Sequence, residues 1–267
     1  MTSEVPAIQA QGLTKSYGGR PVLQGIDLTV PQGESLVILG PSGGGKSTLL
    51  RCLIGLERPD SGTVRLQGID IFRATHRELR ALRRGIGMAF QRGALFGSMT
   101  LAGNIDLPLK EHTRLPLSTR KIIARIKLGL VGMEDAMNLF PSQLSGGMRK
   151  RGALARAMAL DPSLLFFDEP SAGLDPVTAA GLDLLLKRMK EVFKVTLVVV
   201  THEMVSAFSI ADRVVLLHNG RFLVSGSPAE VQKSQHPIVR NFLDRVPPDS
   251  SLDEGKFGKF FADPQNK

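Results

Sequence analysis

Residues Gly40-Pro41-Ser42-Gly43-Gly44-Gly45-Lys46-Ser47 constrain this chain more than any other run, because they fit the pattern G-x-x-x-x-G-K-[ST]. An apolar stretch, Ser35–Leu39, runs into them, and Ser47–Leu56 reads as a helix that follows. A glycine-rich turn in this setting leaves main-chain N–H groups free to wrap an anion without a Cβ in the way. The helix N-terminus adds its partial positive charge. A chain built around such a turn is drawn toward an α/β core in which a buried strand delivers the loop to one edge of the sheet. In that loop Lys46 is expected to reach nucleotide phosphates, with Thr48 beside them. The Ser47 hydroxyl is expected to ligate Mg2+.

The rest of the chain agrees. Val22–Val30 alternates and stops at Pro31-Gln32-Gly33, and Thr63–Gln67 and Ile86–Phe90 are further predicted strands. A basic amphipathic helix is predicted over Thr75–Arg84. From about residue 100 to 160 the spacing is helical, with Ile122, Ile123, Ile126 and Leu130 on one side and Lys121, Arg125 and Lys127 beside them. Strand and helix alternate again from Leu164–Phe167 through Val177–Val192 to Leu197–Val200. Continuous apolar strands alternating with helices point to a mostly parallel sheet covered on both faces. The expected organisation is one α/β domain over 1–246, with a helical insert at about 92–160. A tail follows over 247–267, anchored by Phe257, Phe260 and Phe261.

Two further runs carry chemistry. Phe166-Phe167-Asp168-Glu169 ends an apolar strand on two carboxylates, at the edge where ligands of open α/β sheets bind. Asp168 is placed to hold Mg2+ through water, and Glu169 to polarise an attacking water. Leu144-Ser145-Gly146-Gly147-Met148 opens another helix with a hydroxyl and bare N–H groups, a second anion-binding terminus. It is of no use to a nucleotide held by the first loop of the same chain. It makes sense if a second copy presents it across a shared ATP.

Composition narrows the classes. Of 267 residues, 42% are hydrophobic, enough for a sizeable core. The single Cys52 excludes an intrachain disulfide framework and is expected to pack in the core. No run approaches the roughly 20 apolar residues of a membrane span, and Met1 to Ala10 lacks the pattern of a signal peptide. A cytoplasmic protein is expected unless a partner holds it at a membrane. The net charge of +9 collects at Arg73, Arg77, Arg80, Arg83 and Arg84 and at Arg149–Arg151. With one Tyr and no Trp, stacking platforms for single strands are scarce, and nucleic acid is not expected as a partner.

Taken in order, these motifs resemble the ATP-binding subunits of ABC transporters, over about residues 7–245. The resemblance implies a RecA-like P-loop core with an N-terminal antiparallel β subdomain and an inserted helical subdomain. It implies that Tyr17 stacks on adenine and that Gln91 links Mg2+ and the γ-phosphate to a transmembrane permease. Ser171-Ala172-Gly173-Leu174-Asp175 matches the family's D-loop, and His202 its γ-phosphate switch. Ser145, Gly146, Gly147 and Asp175 are then expected to contact ATP on the other subunit of a homodimer. Ala94, Leu95 and Phe96, next to Gln91, are expected beside the permease groove.

Smaller features resemble the ATPase of Mla-type intermembrane phospholipid transporters. These are Gly93-Ala94-Leu95-Phe96, Asn104, Pro108-Leu109-Lys110-Glu111-His112, Met148 in place of the commoner Gln, and Ile238–Asp244. That implies an MCE-type lipid-binding partner, a C-terminal extension reaching a neighbouring ATPase subunit, and residence on the cytoplasmic face of the inner membrane. An amino-acid or other small-solute importer ATPase is the alternative. A soluble ABC ATPase of repair or translation fits less well, since there is one motif set and no long coiled coil between Gln91 and Leu144.

Overall fold

Two sheets share the chain, in a computed structural model that describes residues 5–91 and 93–246. β1 (Ile8–Tyr17) and β2 (Arg20–Val30) pair antiparallel. β3 (Ser35–Leu39) is buried at every position and leads through the glycine loop into α1 (Lys46–Leu53). The helix stops three residues short of the expected Leu56. Gly55 takes a left-handed φ of 71° and its N–H returns to the Cys52 carbonyl, which ends the helix. β4 (Ser61–Leu66) and β5 (Ile69–Asp70) complete a four-stranded antiparallel sheet ordered β2-β1-β4-β5. Cys52 is fully buried in the core between this sheet and the next.

The basic helix α2 (His76–Arg84) begins at Thr75, whose hydroxyl accepts from the Glu78 N–H while Glu78 reaches back to the Thr75 N–H. β6 (Ile86–Ala89) precedes three helices, α3 (Leu101–His112), α4 (Leu117–Leu130) and α5 (Gly146–Ala157). They lie between β6 and the next strand, where the helical insert is expected. The chain then resumes alternation with β7 (Leu164–Asp168), α6 (Pro176–Phe193), β8 (Thr196–Thr201), α7 (Met204–Ile210), β9 (Arg213–His218) and β10 (Arg221–Gly226). α8 (Pro228–Gln232) and α9 (Pro237–Leu243) follow.

The second sheet has the order β10-β9-β3-β8-β7-β6. From β9 to β6 every pairing is parallel, so the carboxyl ends of β3, β8, β7 and β6 share one edge. Register fixes this: Leu39 lies opposite Thr201, Val200 opposite Asp168 and Phe167 opposite Ala89. The segments that follow these four strands carry Gly40, His202, Glu169 and Gln91.

α4 corrects one expectation. The helix is where the spacing predicts it, but Ile122 and Ile126 point outward at 60% and 55% exposure while Lys127 is buried. The packed face is built from Ala124 and Leu128, and the Lys127 ammonium pairs with Asp161 beyond the end of α5. The smaller residue lets α4 approach its neighbours, and the lysine carries its charge through to solvent at Asp161. The predicted tail, 247–267 with its three phenylalanines, lies outside the described residues.

Candidate functional site

The glycine loop is shaped by close backbone approach. A Cβ on Gly40 would sit 2.2 Å from the Leu217 carbonyl of β9. Gly45, the N-cap of α1, has φ 98°, and a Cβ there would sit 2.8 Å from the Val22 carbonyl. Larger residues would fill the cradle that Pro41, Ser42, Gly43 and Gly44 complete. Lys46 is 6% exposed, and its ammonium donates to the carbonyls of Gly40 at 2.9 Å and Pro41 at 3.0 Å. Burial pushes its pKa below the ordinary lysine value, against the opposing pull of Glu169 and Asp168. The loop thus curls around a cation that donates to two carbonyl oxygens and whose donors suit phosphate oxygens equally.

Across the edge, the Ser47 hydroxyl donates to Asp168 Oδ1 at 3.2 Å. Burial raises the Asp168 pKa and the Glu169 charge adds to this, while the Ser47 hydrogen bond, Arg51 and Lys46 oppose it. Hydroxyl and carboxylate are hard oxygen donors of the kind Mg2+ takes, and the pair fits that ion.

Glu169 is the most constrained residue of the group. It is buried, and its φ of 50° lies in the left-handed region that non-glycine residues rarely adopt. Its N–H donates to the Val200 carbonyl at 2.8 Å. One carboxylate oxygen accepts from the Thr201 hydroxyl at 3.0 Å and the His202 N–H at 3.3 Å. The other lies 2.9 Å from His202 Nδ1 and 3.9 Å from the Lys46 ammonium. Lys46, Glu169 and His202 therefore form one connected cluster, beside Ser47 and Asp168.

Gln91 is exposed in the turn after β6, with its main-chain carbonyl held by Lys150. Tyr17 ends β1 near α1. It is 45% exposed, its hydroxyl is bonded to Glu57, its neighbours include Thr48, and the Lys15 ammonium lies 5.5 Å from its ring centre. Ser145 caps α5, its hydroxyl accepting the Met148 N–H at 3.2 Å, and the exposed Gly146 and half-buried Gly147 open the first turn. Asp175 caps α6 by accepting from the N–H groups of Val177 and Thr178, and hydrogen bonding from the Thr178 side chain, then its N–H, lowers the Asp175 pKa. Ser145 and Asp175 are thus occupied with capping, and neither makes a hydrogen bond to the Lys46 cluster.

Beside Gln91 the expected apolar trio divides. Leu95 packs against the main core, over the bare face of Gly152, whereas Phe96 is exposed at 48%. The backbone at Phe96 is pinned by the fully buried Asn104, whose Oδ1 accepts the Phe96 N–H at 2.7 Å and whose amide donates to the Phe96 carbonyl at 3.1 Å. Phe90, Phe96, Leu107, Pro108 and Leu160 line a cavity of about 600 Å3. Thr201 and Lys150 went unread in the sequence. Neither carries a local signal, since each meets its partners only once distant turns pack together.

Comparison with known proteins agrees with this geometry. The ABC transporter family model matches residues 23–172. The intermembrane phospholipid transport ATP-binding protein MlaF of Escherichia coli K12 is 42% identical over 90% of this chain and 89% of its own length. A probable ribonucleotide transport ATP-binding protein, mkl of Mycobacterium tuberculosis H37Rv, is also 42% identical. The match covers 89% of this chain, which spans only 66% of that relative. Among solved structures, the ATP-binding cassette MJ0796, a dimer in a post-hydrolysis state bound to ADP and Pi, superposes with a TM-score of 0.77. It is 33% identical over 83% of this chain and 98% of its own. The cbiO1 subunit from Clostridium perfringens gives 0.78 at 28% identity, over 97% of this chain and 99% of its own. With its glycine loop and its two carboxylates at one sheet edge, the chain belongs to the ABC transporter family, as an ATPase domain.

Proposed function

We propose that this chain hydrolyses ATP to drive a transporter that moves phospholipids between membranes. It works as a homodimer around two ATP, seated on permease subunits at the cytoplasmic face of the inner membrane, with an MCE-type lipid-binding protein in the same assembly. The observation that carries the catalytic part is the cluster Lys46–Glu169–His202 beside Ser47–Asp168. Lys46 transfers its donors from the Gly40 and Pro41 carbonyls to the β- and γ-phosphates. Tyr17 stacks on the adenine. Ser47 and Asp168, the latter through water, would hold Mg2+ together with Gln91, and that ion would supply neutralisation of phosphate charge. Glu169 accepts a proton from the attacking water, while His202 contacts the γ-phosphate with its free side. Ser145, Gly146, Gly147 and Asp175 close over the nucleotide of the other subunit.

Relatives of similar identity carry different cargo names, and coverage favours phospholipid: those named for phospholipid are matched over 89% of their length, those named for ribonucleotide over 66–69%. The test is ATP turnover by the transporter purified with its neighbours from membranes. Phospholipid vesicles are expected to raise turnover several-fold, and ribonucleotides or amino acids to leave it unchanged. Stimulation by a ribonucleotide or an amino acid alone would reassign the cargo.

The cavity beside Phe96 is the seat we assign to the permease. Phe96→Asp is expected to leave the isolated subunit's melting temperature and ATP binding unchanged, because the side chain is exposed. It is expected to cut retention of the subunit in washed membranes by about tenfold, corresponding to the burial of one aromatic side chain. Full retention would place the contact elsewhere. The half-buried Leu95 is a poorer residue for this test, since it packs against the core and a charge there would also cost stability.

A further inference from the structure

Lys150 lies in the second turn of α5, the helix that Ser145 caps. Its ammonium donates to two main-chain carbonyls: that of Gln91, after β6, and that of Glu169, after β7, the latter at 2.9 Å. Because both partners are backbone, the contact governs where two turns sit and leaves the side chains of Gln91 and Glu169 free. Burial lowers the Lys150 pKa, and the charges of Glu169, Asp168 and Glu203 counteract it. Two turns further along the same helix, Arg156 donates to the Ala94 carbonyl at 2.7 Å, its guanidinium 5.6 Å from the centre of the Phe96 ring. α5 therefore grips the Gln91–Phe96 segment at two points and the catalytic strand end at one.

The Glu169 contact matters because of the backbone it restrains. A glutamate at φ 50° persists only where its surroundings over-determine it. On one side the N–H is tied to Val200, and the carboxylate to Thr201 and His202. On the other side the carbonyl is tied to Lys150. Removing the ammonium frees one end of a strained peptide and lets the carboxylate swing.

We infer that Lys150 is a positioning residue that locks the Glu169 peptide and the Gln91 turn to α5, so that the seating of α5 sets the aim of the Glu169 carboxylate. This rests on the reading of Glu169 as the group that activates water. The test is steady-state ATP hydrolysis by the full chain with Mg2+, alongside melting temperatures. Lys150→Met is expected to lower kcat by about tenfold or more, the scale of a small misplacement of a catalytic group, with KM for ATP changed less than about threefold. Lys150→Arg, whose guanidinium also donates to two carbonyls, is expected to restore kcat to within about threefold. On a Glu169→Gln background, Lys150→Met is expected to change the residual rate by less than about twofold, because residues acting through one group are not additive.

Wild-type kcat in Lys150→Met, with Glu169→Gln inactive, overturns the inference. So does an equal slowing by Lys150→Met in both backgrounds, or an arginine variant as slow as the methionine one. A Glu169→Gln protein as active as wild type removes the Glu169 reading itself, and this inference with it. If Lys150→Met fails to fold, Lys150→Ser, whose hydroxyl is too short to reach either carbonyl, takes its place, and unchanged kcat there overturns the inference.

Discussion

Glu169→Gln is expected to bind Mg-ATP as wild type does and to turn it over about 10²–10⁴-fold more slowly, the range set by loss of a general base. The amide has the shape of the carboxylate. Its oxygen can still accept from the Thr201 hydroxyl and the His202 N–H, which hold Glu169 Oε2 at 3.0 and 3.3 Å. What is lost is an atom able to take a proton from water. The Lys46 ammonium, 3.9 Å from Glu169 Oε1, also loses a negative neighbour, which favours its transfer to a phosphate. Binding should therefore survive or tighten while the chemistry stops. A homodimer closed around unhydrolysed ATP then accumulates, seen by size-exclusion chromatography with ATP, or in the assembled transporter where closure needs the permease. Turnover at the wild-type rate, or no gain in the closed dimer in either setting, would remove Glu169 from the chemistry.

The parts of this site that could be read in the sequence are those whose geometry is set locally. Ser35–Leu39 is β3 to the residue, because four consecutive apolar residues after Ser35, running into a glycine-rich loop, have one natural reading, a buried strand feeding that loop. That His202, Glu169 and Gln91 come to the same edge follows from parallel pairing, which the alternation of apolar strands and helices implies. β1 was not legible. Its pairing with β2 shifts register between Ala10 and Leu13, between Leu13 and Thr14, and between Lys15 and Ser16, so the alternation that marks a strand is broken. β9 and β10 lie outside the predicted strands, although β9 pairs with β3 in the sheet. On α4 the periodicity holds but the apolar side divides, since Ile122 and Ile126 face outward, Ile123 packs against the core, and Lys127 is buried. Lys150 shows the remaining limit. Nothing in the local pattern says that a lysine in a basic run will end on two carbonyls from distant turns, because that contact exists only after α5 packs on the core.

The sharing of sites between two subunits is open to a test in which two inactive proteins restore each other. Lys46→Ala alone is expected to weaken ATP binding by about a hundredfold, as two charge-assisted hydrogen bonds to phosphate are lost. Melting temperature is the control, because Lys46 also closes the loop onto the Gly40 and Pro41 carbonyls. Ser145→Arg places a long cation at the exposed N-cap of α5, where it blocks the helix N–H groups from a nucleotide on the facing subunit and leaves that chain's own glycine loop untouched. Each variant alone should be inactive, because every site in either homodimer carries one lesion. In a mixed dimer one site carries both lesions and the other carries none. Equal mixing makes about half the dimers mixed, each with one intact site of two, so about a quarter of wild-type turnover should return. If both sites must fire together, no activity returns on mixing, yet Ser145→Arg alone stays inactive. Wild-type turnover by Ser145→Arg alone would contradict the shared site outright. Recovery on mixing requires that Lys46 of one chain and Ser145 of the other serve the same ATP, since no site within a single chain is repaired by its neighbour's intact loop.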